Sequence, residues 1–242
     1  MRLSQNVIVK PELCQPVFPL SIRGVKEVFP GFALGDFAVL QGSSVLSLAS
    51  LLCVKAQLPS QLGGLQSGVI FIDGCNTFRL YQIAQLAQIH HLDPKKVLDN
   101  IYISRAFTAY QTAALIKDHL RETIQKYNAK LVIISDIAGF FLDKDVAEDE
   151  AQRIFSQVTS YISSFARETR TIVLATYPDH LDTPRNNYLH TQTCSKASVV
   201  LSLRRTSYSR QFVLEKHPYF SLGTTEVQSE DLTLLDFAEA NA

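Results

Sequence analysis

The sequence predicts an α/β fold, with a mostly parallel sheet flanked by helices and antiparallel strands at its C-terminal edge. Apolar β-type segments alternate with segments of helical period along the chain. Several β-type segments are apolar without interruption, which is typical of strands buried on both faces. The last two β-type segments are separated by a short polar stretch and form an apparent antiparallel pair.

The elements divide into an N-terminal segment, a core and a tail. Residues 1–34 carry short β-like pieces broken by prolines, residues 35–225 form the predicted core, and residues 226–242 form a C-terminal tail. We expect a single domain overall, because the chain is long enough to bury one large core. The predicted strands span residues 37–40, 69–73, 100–104, 131–135, 171–176, 197–203 and 211–216. The predicted helices span residues 45–57, 79–90, 110–127 and 147–167.

Each assignment follows from a local pattern. The strand at 69–73 reads VIFID and that at 131–135 reads LVIIS, both runs of apolar, mostly β-branched residues. Helix 110–127 carries one apolar stripe at helical spacing, made of Ala113, Ile116, Leu120, Ile124 and Tyr127. Helix 147–167 begins with acidic residues, which suit the positive end of a helix dipole. Residues 177–196 are polar and are predicted as a long loop.

Composition limits the classes of function. Lysine and arginine number 23 and aspartate and glutamate 23, so zero net charge gives no global attraction to nucleic acid or membrane. The four cysteines lack CxxC spacing and are interpreted as reduced thiols. We see neither a signal-peptide pattern nor an apolar run as long as a membrane span. We therefore expect a non-secreted protein of the cytoplasm or nucleus, without membrane association.

One stretch combines the layout of a phosphate-binding loop with the absence of its sequence. Residues 37–54 read FAVLQGSSVLSLASLLCV, an apolar strand that enters a Gly/Ser turn and then an apolar helix. The phosphate-binding sequence GxxxxGK[ST] is absent, and none of the ten glycines is followed by lysine. The strand–turn–helix layout of an ATPase site is therefore present without the lysine that binds phosphate.

Several further segments follow one another along the chain: GVKEVFPGFALGDFAVLQG, QLP, FIDGCNTFR, VLDNIYISRAF, LVIISD, TIVLAT, and the pair LSLRR and FVLEKHP. In this order, over residues 20–225, they resemble the RecA/RadA strand-exchange recombinases and their paralogues. The resemblance implies a RecA-like core of the P-loop NTPase type. It also implies a role in homologous recombination or DNA repair.

The resemblance also shows where this chain departs from the family. Val45 and Leu46 occupy the lysine and Ser/Thr positions of the phosphate loop. The positive charge that would contact the phosphates and the hydroxyl that would bind magnesium are therefore lost. Cys75 takes the place of the glutamate that polarises the attacking water, and a neutral thiol is no carboxylate base. Ser135 stands at the magnesium aspartate position, with Asp136 one residue late. The γ-phosphate-sensing pair reads Thr176-Tyr177.

These four changes predict a degenerate, inactive nucleotide site, with no catalytic residue, no metal, and neither ATP nor magnesium as cofactor. The residues of this predicted site are Gly42, Ser43, Ser44, Val45, Leu46, Asp73, Cys75, Ser135 and Asp136.

Ordinary structural roles compete with ligand chemistry at several positions. Residues 42–44 either bind an anion at a helix start or form a turn with a serine N-cap. Asp136 either binds a metal or serves at a strand end, and a single carboxylate is a poor magnesium site. Cys75 is either a reactive thiol or a partly buried inert one. His90 and His91 are adjacent on a helix and point apart, so we interpret them as structural.

Two basic regions are candidates for single-stranded DNA, through phosphate pairing and base stacking. Their alternatives are a solvated loop and a hairpin tip kept soluble by charge. The segment at the family's first DNA-binding loop, LDKDVAEDEA, is acidic and would repel phosphate. The candidate DNA-binding residues are Arg185, Asn187, Tyr188 and Lys196 in the predicted loop, and Arg204, Arg205 and Arg210 around the hairpin turn.

Three functions follow as hypotheses. The first is a non-catalytic recombinase paralogue that acts as an accessory scaffold, through a protein partner such as a recombinase or a second copy, with single-stranded DNA as a further candidate. The second is an ATPase with a site rebuilt or completed in trans. The third is an interaction module unrelated to DNA. The segment VFPLSI at residues 17–22 is a candidate for strand addition to a neighbour, with an internal edge strand as the alternative.

Overall fold

The computed structural model describes residues 17–20, 22, 24–205 and 209–227. The strands are β1 (Phe37–Gly42), β2 (Val69–Asp73), β3 (Ile101–Arg105), β4 (Leu131–Ser135), β5 (Ile172–Tyr177), β6 (Val199–Arg205), β7 (Arg210–Lys216) and β8 (Gly223–Val227). The helices are α1 (Val25–Val28), α2 (Val45–Lys55), α3 (Leu80–Ile89), α4 (Pro94–Asp99), α5 (Ala109–Ala114), α6 (Leu120–Tyr127), α7 (Glu148–Thr169) and α8 (Pro184–Lys196). A π-helical turn (Leu115–His119) joins α5 to α6.

The strands form one sheet in the order β3-β2-β4-β5-β1-β6-β7-β8. Every pairing from β3 across to β6 is parallel, and β7 and β8 extend the sheet antiparallel. The predicted fold class, a mostly parallel sheet with antiparallel strands at the C-terminal edge, is therefore confirmed. In this order β1 lies at the centre, between β5 and β6.

Helices cover both faces of the sheet, and alternate side chains of each central strand enter two different apolar clusters. In β1, Ala38 and Leu40 join the cluster that contains the side chains of α2 and α3, whereas Phe37 and Val39 join the cluster that contains α7. Because both faces are covered, the strands need apolar residues at every position, which explains the uninterrupted apolar runs.

The described part of the N-terminal segment, which starts at residue 17, packs into the chain's own core. Phe18 and Leu20 are buried, and Phe18 makes an antiparallel bridge with Phe32. Lys55, at the end of α2, is 2% exposed, and its Nζ donates hydrogen bonds to the carbonyl oxygens of Pro19 at 3.0 Å and Leu20 at 2.8 Å. Residues 17–20 thus contact the chain's own core, and the addition of the segment 17–22 as a strand to a neighbour stays a hypothesis. The β-like piece at residues 6–10 lies outside the described residues.

The predicted long loop at 177–196 is also wrong, because most of it is helix α8. Thr183 precedes the helix, and its Oγ1 accepts a hydrogen bond from the backbone N–H of Asn186 at 3.1 Å. Pro184 occupies the first turn, where its missing N–H costs nothing. The link between β5 and α8 is therefore short, at residues 178–183.

Smaller elements were not predicted, namely α1, α4 and β8. The predicted helix 110–127 contains a π-helical turn, and its predicted stripe is buried from Ala113 to Ile124. In the described part of the chain, no helix is long and apolar enough to cross a membrane.

Candidate functional site

The turn after β1, where the resemblance places the phosphate loop, is fastened to strand β6. The backbone N–H of Ser43 donates to the carbonyl oxygen of Leu203 at 3.1 Å. Gly42 has φ of +94°, and a Cβ at this position would overlap that same carbonyl. Only glycine fits such a left-handed backbone at such close approach. The N–H of Ser43 is thus already paired within the protein, whereas a phosphate-binding loop directs such groups at its ligand.

Helix α2 begins without the serine cap that the sequence suggested. Ser44 lies at the N-cap position with φ of +62°, and its side chain caps no helix N–H. Its Oγ instead accepts a hydrogen bond from Nη1 of Arg210 at 3.0 Å. Val45, at the position of the family lysine, is 1% exposed, and Leu46 is half-buried. The helix start is therefore apolar and closed on the side of Val45.

Asp73, at the end of β2, is fully buried and serves the turn that follows it. Its Oδ1 accepts hydrogen bonds from the N–H of Thr77 at 2.7 Å, from the hydroxyl of Thr77 at 3.1 Å and from the N–H of Phe78 at 3.2 Å. Its Oδ2 lies 3.3 Å from Nε of Arg105. These contacts stabilise the carboxylate in place and hold the β2–α3 turn.

Ser135 and Asp136 end β4 and face different partners. Ser135 is buried, and its Oγ accepts a hydrogen bond from the N–H of Gly74 at 3.0 Å. Asp136 has a left-handed backbone with φ of +45°, and its N–H donates to Oγ1 of Thr176 at 2.8 Å. Oδ1 of Asp136 lies 2.8 Å from Nε2 of His180 in the β5–α8 link. The hydrogen bond to Asp136 raises the pKa of His180 above its usual range, which favours an ion pair.

Cys75 is exposed, which corrects the expectation of partial burial. The pKa of the Cys75 thiol is raised to about 12. The largest cause is desolvation of the sulfur atom, and the carboxylates of Asp136 and Asp73 add smaller effects. The thiolate is the nucleophile, so a thiol with so high a pKa is poorly reactive near neutral pH.

A small cleft of about 250 Å³ lies over the turn and the start of α2. Beyond the turn itself, it is bounded by Arg79 and Gln82 of the α3 region and by Pro178 and Asp179 of the β5–α8 link. Nε2 of Gln82 donates to Oγ of Ser47 at 3.2 Å, which ties α3 to α2 at this point.

A larger cleft of about 660 Å³ opens between the ends of β1, β5 and β6, the β5–α8 link and α8. It is mostly polar. Its main side chains are Gln41, Tyr177, His180, Asp182, Asn186, Asn187, His190, Ser202, Arg204 and Arg205.

A connected hydrogen-bond network forms the floor of this larger cleft. Nε2 of Gln41 donates to Oγ of Ser202 at 2.9 Å and to Oε2 of Glu215 at 2.7 Å. Oε1 of Glu215 accepts from Arg204 at 2.6 Å and from Ser202 at 2.7 Å. Oε1 of Gln41 lies 2.6 Å from Nε2 of His190. This network joins β1, β6, β7 and α8, so the shape of the cleft depends on all four elements.

The structure brings together only some of the predicted DNA-binding residues. Asn187, Arg204 and Arg205 line the larger cleft. The remaining four do not line it. Among these, Nη1 of Arg185 donates inward to the carbonyl of Val146 at 3.1 Å, and Tyr188 packs against the apolar cluster around α7. Lys196 is exposed at the end of α8, and Arg210 is buried at 6% exposure.

Sequence reasoning missed Gln41 and His180, which line the larger cleft. Tyr177 was predicted only as part of the γ-phosphate-sensing pair, and Asn186 and His190 only as part of the polar loop. A position just beyond a predicted strand end was a usable signal for Gln41 and His180, because ligands in parallel sheets bind there. Among the described residues, no group of three or more His, Cys, Asp or Glu side chains is placed to hold a metal ion.

The parallel order of the strands, with the site at their carboxyl ends, defines a RecA-like α/β protein. The family model named Rad51 matches residues 27–179, more than half of the chain. The chain therefore belongs to the Rad51 family, a family of recombination and repair proteins.

Two curated relatives are both described as DNA repair and recombination protein RadA. The protein from Cenarchaeum symbiosum is 31% identical over 160 residues, which cover 65% of this chain and 38% of the relative. The protein from Aeropyrum pernix is 34% identical over 100 residues, which cover 41% of this chain and 31% of the relative. The chain thus aligns with less than half the length of either relative.

Proposed function

We propose that this chain is a non-catalytic Rad51-family protein. In this proposal it acts in homologous recombination or repair, in the cytoplasm or nucleus, as an accessory scaffold for a protein partner. The partner class is a recombinase or a second copy of this chain. No nucleotide turnover is required for this role.

The observation that carries the proposal is that the chain's own groups occupy the contacts a nucleotide would need. The N–H of Ser43 is paired with Leu203, and Val45 is buried where a lysine would reach phosphate. Asp73 is engaged by its own turn, and Asp136 is paired with His180. A nucleotide would have to break several of these contacts, each of which stabilises the fold by about 1 kcal/mol.

Titration calorimetry with ATP and magnesium tests the absence of nucleotide binding. The scaffold proposal expects no heat of binding and no ATP hydrolysis above background. Micromolar affinity, about −8 kcal/mol, would contradict it. If hydrolysis is seen, the Asp73→Asn and Asp136→Asn variants separate a real activity from a contaminant, because only a real activity falls with these changes.

The small cleft over the turn supports a second candidate, an ATPase with a rebuilt site. About 250 Å³ remains open at the start of α2, beside Arg79. A neighbour's basic residues would have to complete such a site. Calorimetry repeated in the presence of a RadA protein with an intact phosphate loop tests this candidate, since binding that requires the second protein supports it.

Single-stranded DNA is proposed as a ligand of the larger cleft. The exposed guanidinium groups of Arg204 and Arg205 lie at its rim, and Asn187 lies on its wall. Cationic and aromatic groups in a groove are the features that bind single strands without sequence preference. Asp179 and Asp182 line the same cleft and oppose phosphate, so binding is expected to be weak and strongly dependent on salt.

Fluorescence anisotropy with a single-stranded oligonucleotide tests the DNA proposal. The Arg204→Ala/Arg205→Ala variant should weaken binding and reduce the salt slope by about 1.4, at about 0.7 per phosphate contact. Lys196→Ala is the matched control, because it removes an exposed cation outside the cleft. Equal affinity of the double variant and the parent would refute the cleft as the DNA site. Absence of any DNA binding would favour an interaction module unrelated to DNA.

A further inference from the structure

The β5–α8 link, residues 178–183, separates the two clefts. Pro178 and Asp179 line both of them, and His180 and Asp182 line the larger. Among the described residues, residues 178–182 make no backbone–backbone hydrogen bond. Side chains must therefore hold this segment in place.

The two halves of the link are held in different ways. The second half is tied to α8, because Nδ2 of Asn186 donates to the carbonyl of Leu181 at 3.1 Å and Nδ2 of Asn187 to Oδ1 of Asp182 at 2.8 Å. The first half is tied to the sheet by His180, whose Nε2 lies 2.8 Å from Oδ1 of Asp136. Asp136 is itself fixed by the hydrogen bond from its N–H to Thr176.

We propose that the Asp136–His180 pair is a pH-sensitive strut that positions the β5–α8 link between the two clefts. In this arrangement an internal ion pair at 2.8 Å joins the end of β4 directly to the segment after β5. The strut does not rest on the proposed function, because it concerns the position of the link and not what the clefts bind.

The groups around His180 favour its charged form. Asp136 is the carboxylate in contact with His180, and Asp179 directly precedes His180 in the chain. Both carboxylates raise the pKa of His180, whereas desolvation lowers it. The ring of Tyr177 contacts the ring of His180 edge-on, with 5.6 Å between the ring centres. Burial, and to a smaller extent the charge of Asp136, raises the pKa of the Tyr177 phenol, so the phenol stays neutral. Cys75 shares Asp136 as a hydrogen-bond partner and stays a neutral thiol. The two carboxylates are thus the charged groups that act on His180, whereas Arg204, Arg205 and His190 line the same cleft.

The direction of the pH effect follows from the raised pKa. The pair contributes its full stabilisation below the usual histidine pKa of about 6.5, where His180 is charged whether or not the link is docked. That contribution is lost as the pH rises through the raised pKa of the docked state. Above it, a neutral ring still donates a hydrogen bond to the carboxylate of Asp136, but the attraction between two opposite charges is lost.

Amide hydrogen exchange of Asn186 and Asn187, whose N–H groups donate hydrogen bonds to Thr183 at the end of the link, tests the strut in the parent protein. Measured at about pH 6 and about pH 8.5 and corrected for intrinsic exchange, protection should fall at the higher pH. The fall should be about tenfold for each unit by which docking raises the pKa of His180. Protection that is the same at both pH values would overturn the proposal.

Variants identify the pair as the cause. His180→Gln should lose the pH dependence of exchange, and His119→Gln, an exposed histidine on the π-helical turn, should keep it. Asp136→Asn suits the left-handed backbone, since asparagine tolerates it. In that variant the pKa of His180, followed by NMR of its ring, should drop toward the usual value. A His180 pKa that is unchanged by Asp136→Asn contradicts the strut even if the other variants fail to fold.

Discussion

Replacing the buried Lys55 by methionine should make protein stability less dependent on pH. Lys55 is 2% exposed, and burial lowers the pKa of its ammonium group from 10.5 to about 8. A lowered pKa means that the unfolded chain binds more protons than the folded chain between these two values. The free energy of unfolding therefore rises with pH across this window. The difference, 10.5 minus 8, is 2.5 units, so at about 1.36 kcal/mol per unit the rise is at most about 3 kcal/mol.

Urea denaturation of the parent and of Lys55→Met at about pH 7 and about pH 10 measures this contribution. Methionine keeps most of the apolar stem and removes the charge, and it leaves the carbonyls of Pro19 and Leu20 without their donor. The parent should gain about 3 kcal/mol relative to the variant over this range, because the titrations of other groups cancel in the difference. Lys96→Met, on the exposed surface of α4, should track the parent. A parent-minus-variant difference that does not change with pH would refute the reasoning.

Three further predictions concern the ends of the strands. Asp73→Ala should lower the free energy of unfolding by about 3 to 5 kcal/mol, since it strands buried donors in the β2–α3 turn, and an unchanged urea midpoint would contradict this. Cys75 should react with a soluble disulfide reagent far more slowly than a free thiol at about pH 8, and Asp136→Asn should speed the reaction; a rate equal to that of free thiol would count against the raised pKa. Gly42→Ala should cost about 1 to 3 kcal/mol through its left-handed backbone and the overlap with the Leu203 carbonyl, and the melting temperature measures it; a parent-like value would show that the turn relaxes freely.

The sheet was predictable from the sequence because its central strands are buried on both faces. A short apolar run rich in β-branched residues, such as that of β2 or β4, is typical of a strand covered on both faces. Helix α8 was not predictable in the same way, because it buries only Asn186, Leu189 and Thr193 and two of these are polar. Its formation depends on the Thr183 cap and on packing against α7, and a weak apolar stripe does not reveal either.

The candidate site was predictable in position but not in its contacts. The carboxyl ends of β1, β2 and β4 lie at one edge of the sheet, as parallel strands require, and the predicted site residues Gly42, Asp73 and Ser135 end these strands. The partners they make are distant in sequence, and residue type alone does not specify them. Gln41 and Glu215 are 174 positions apart, and Arg210 reaches Ser44 across 166. The inward turn of Arg210 and of Arg185 is likewise set by tertiary packing, so basic side chains in a polar stretch did not identify the cleft.

The central place of β1 has a consequence for the order in which the fold can form during synthesis. β1 is the first strand of the described sheet in chain order and α2 follows it directly, yet both neighbours of β1 in the sheet, β5 and β6, lie far downstream in the chain. Until those neighbours have been synthesised, the backbone N–H and C=O groups of β1 have no partner strands, and the apolar helix α2 has no complete surface to cover. Apolar segments of this topology are exposed to aggregation until the downstream strands have been made, and folding is expected to be slow because the decisive contacts are non-local.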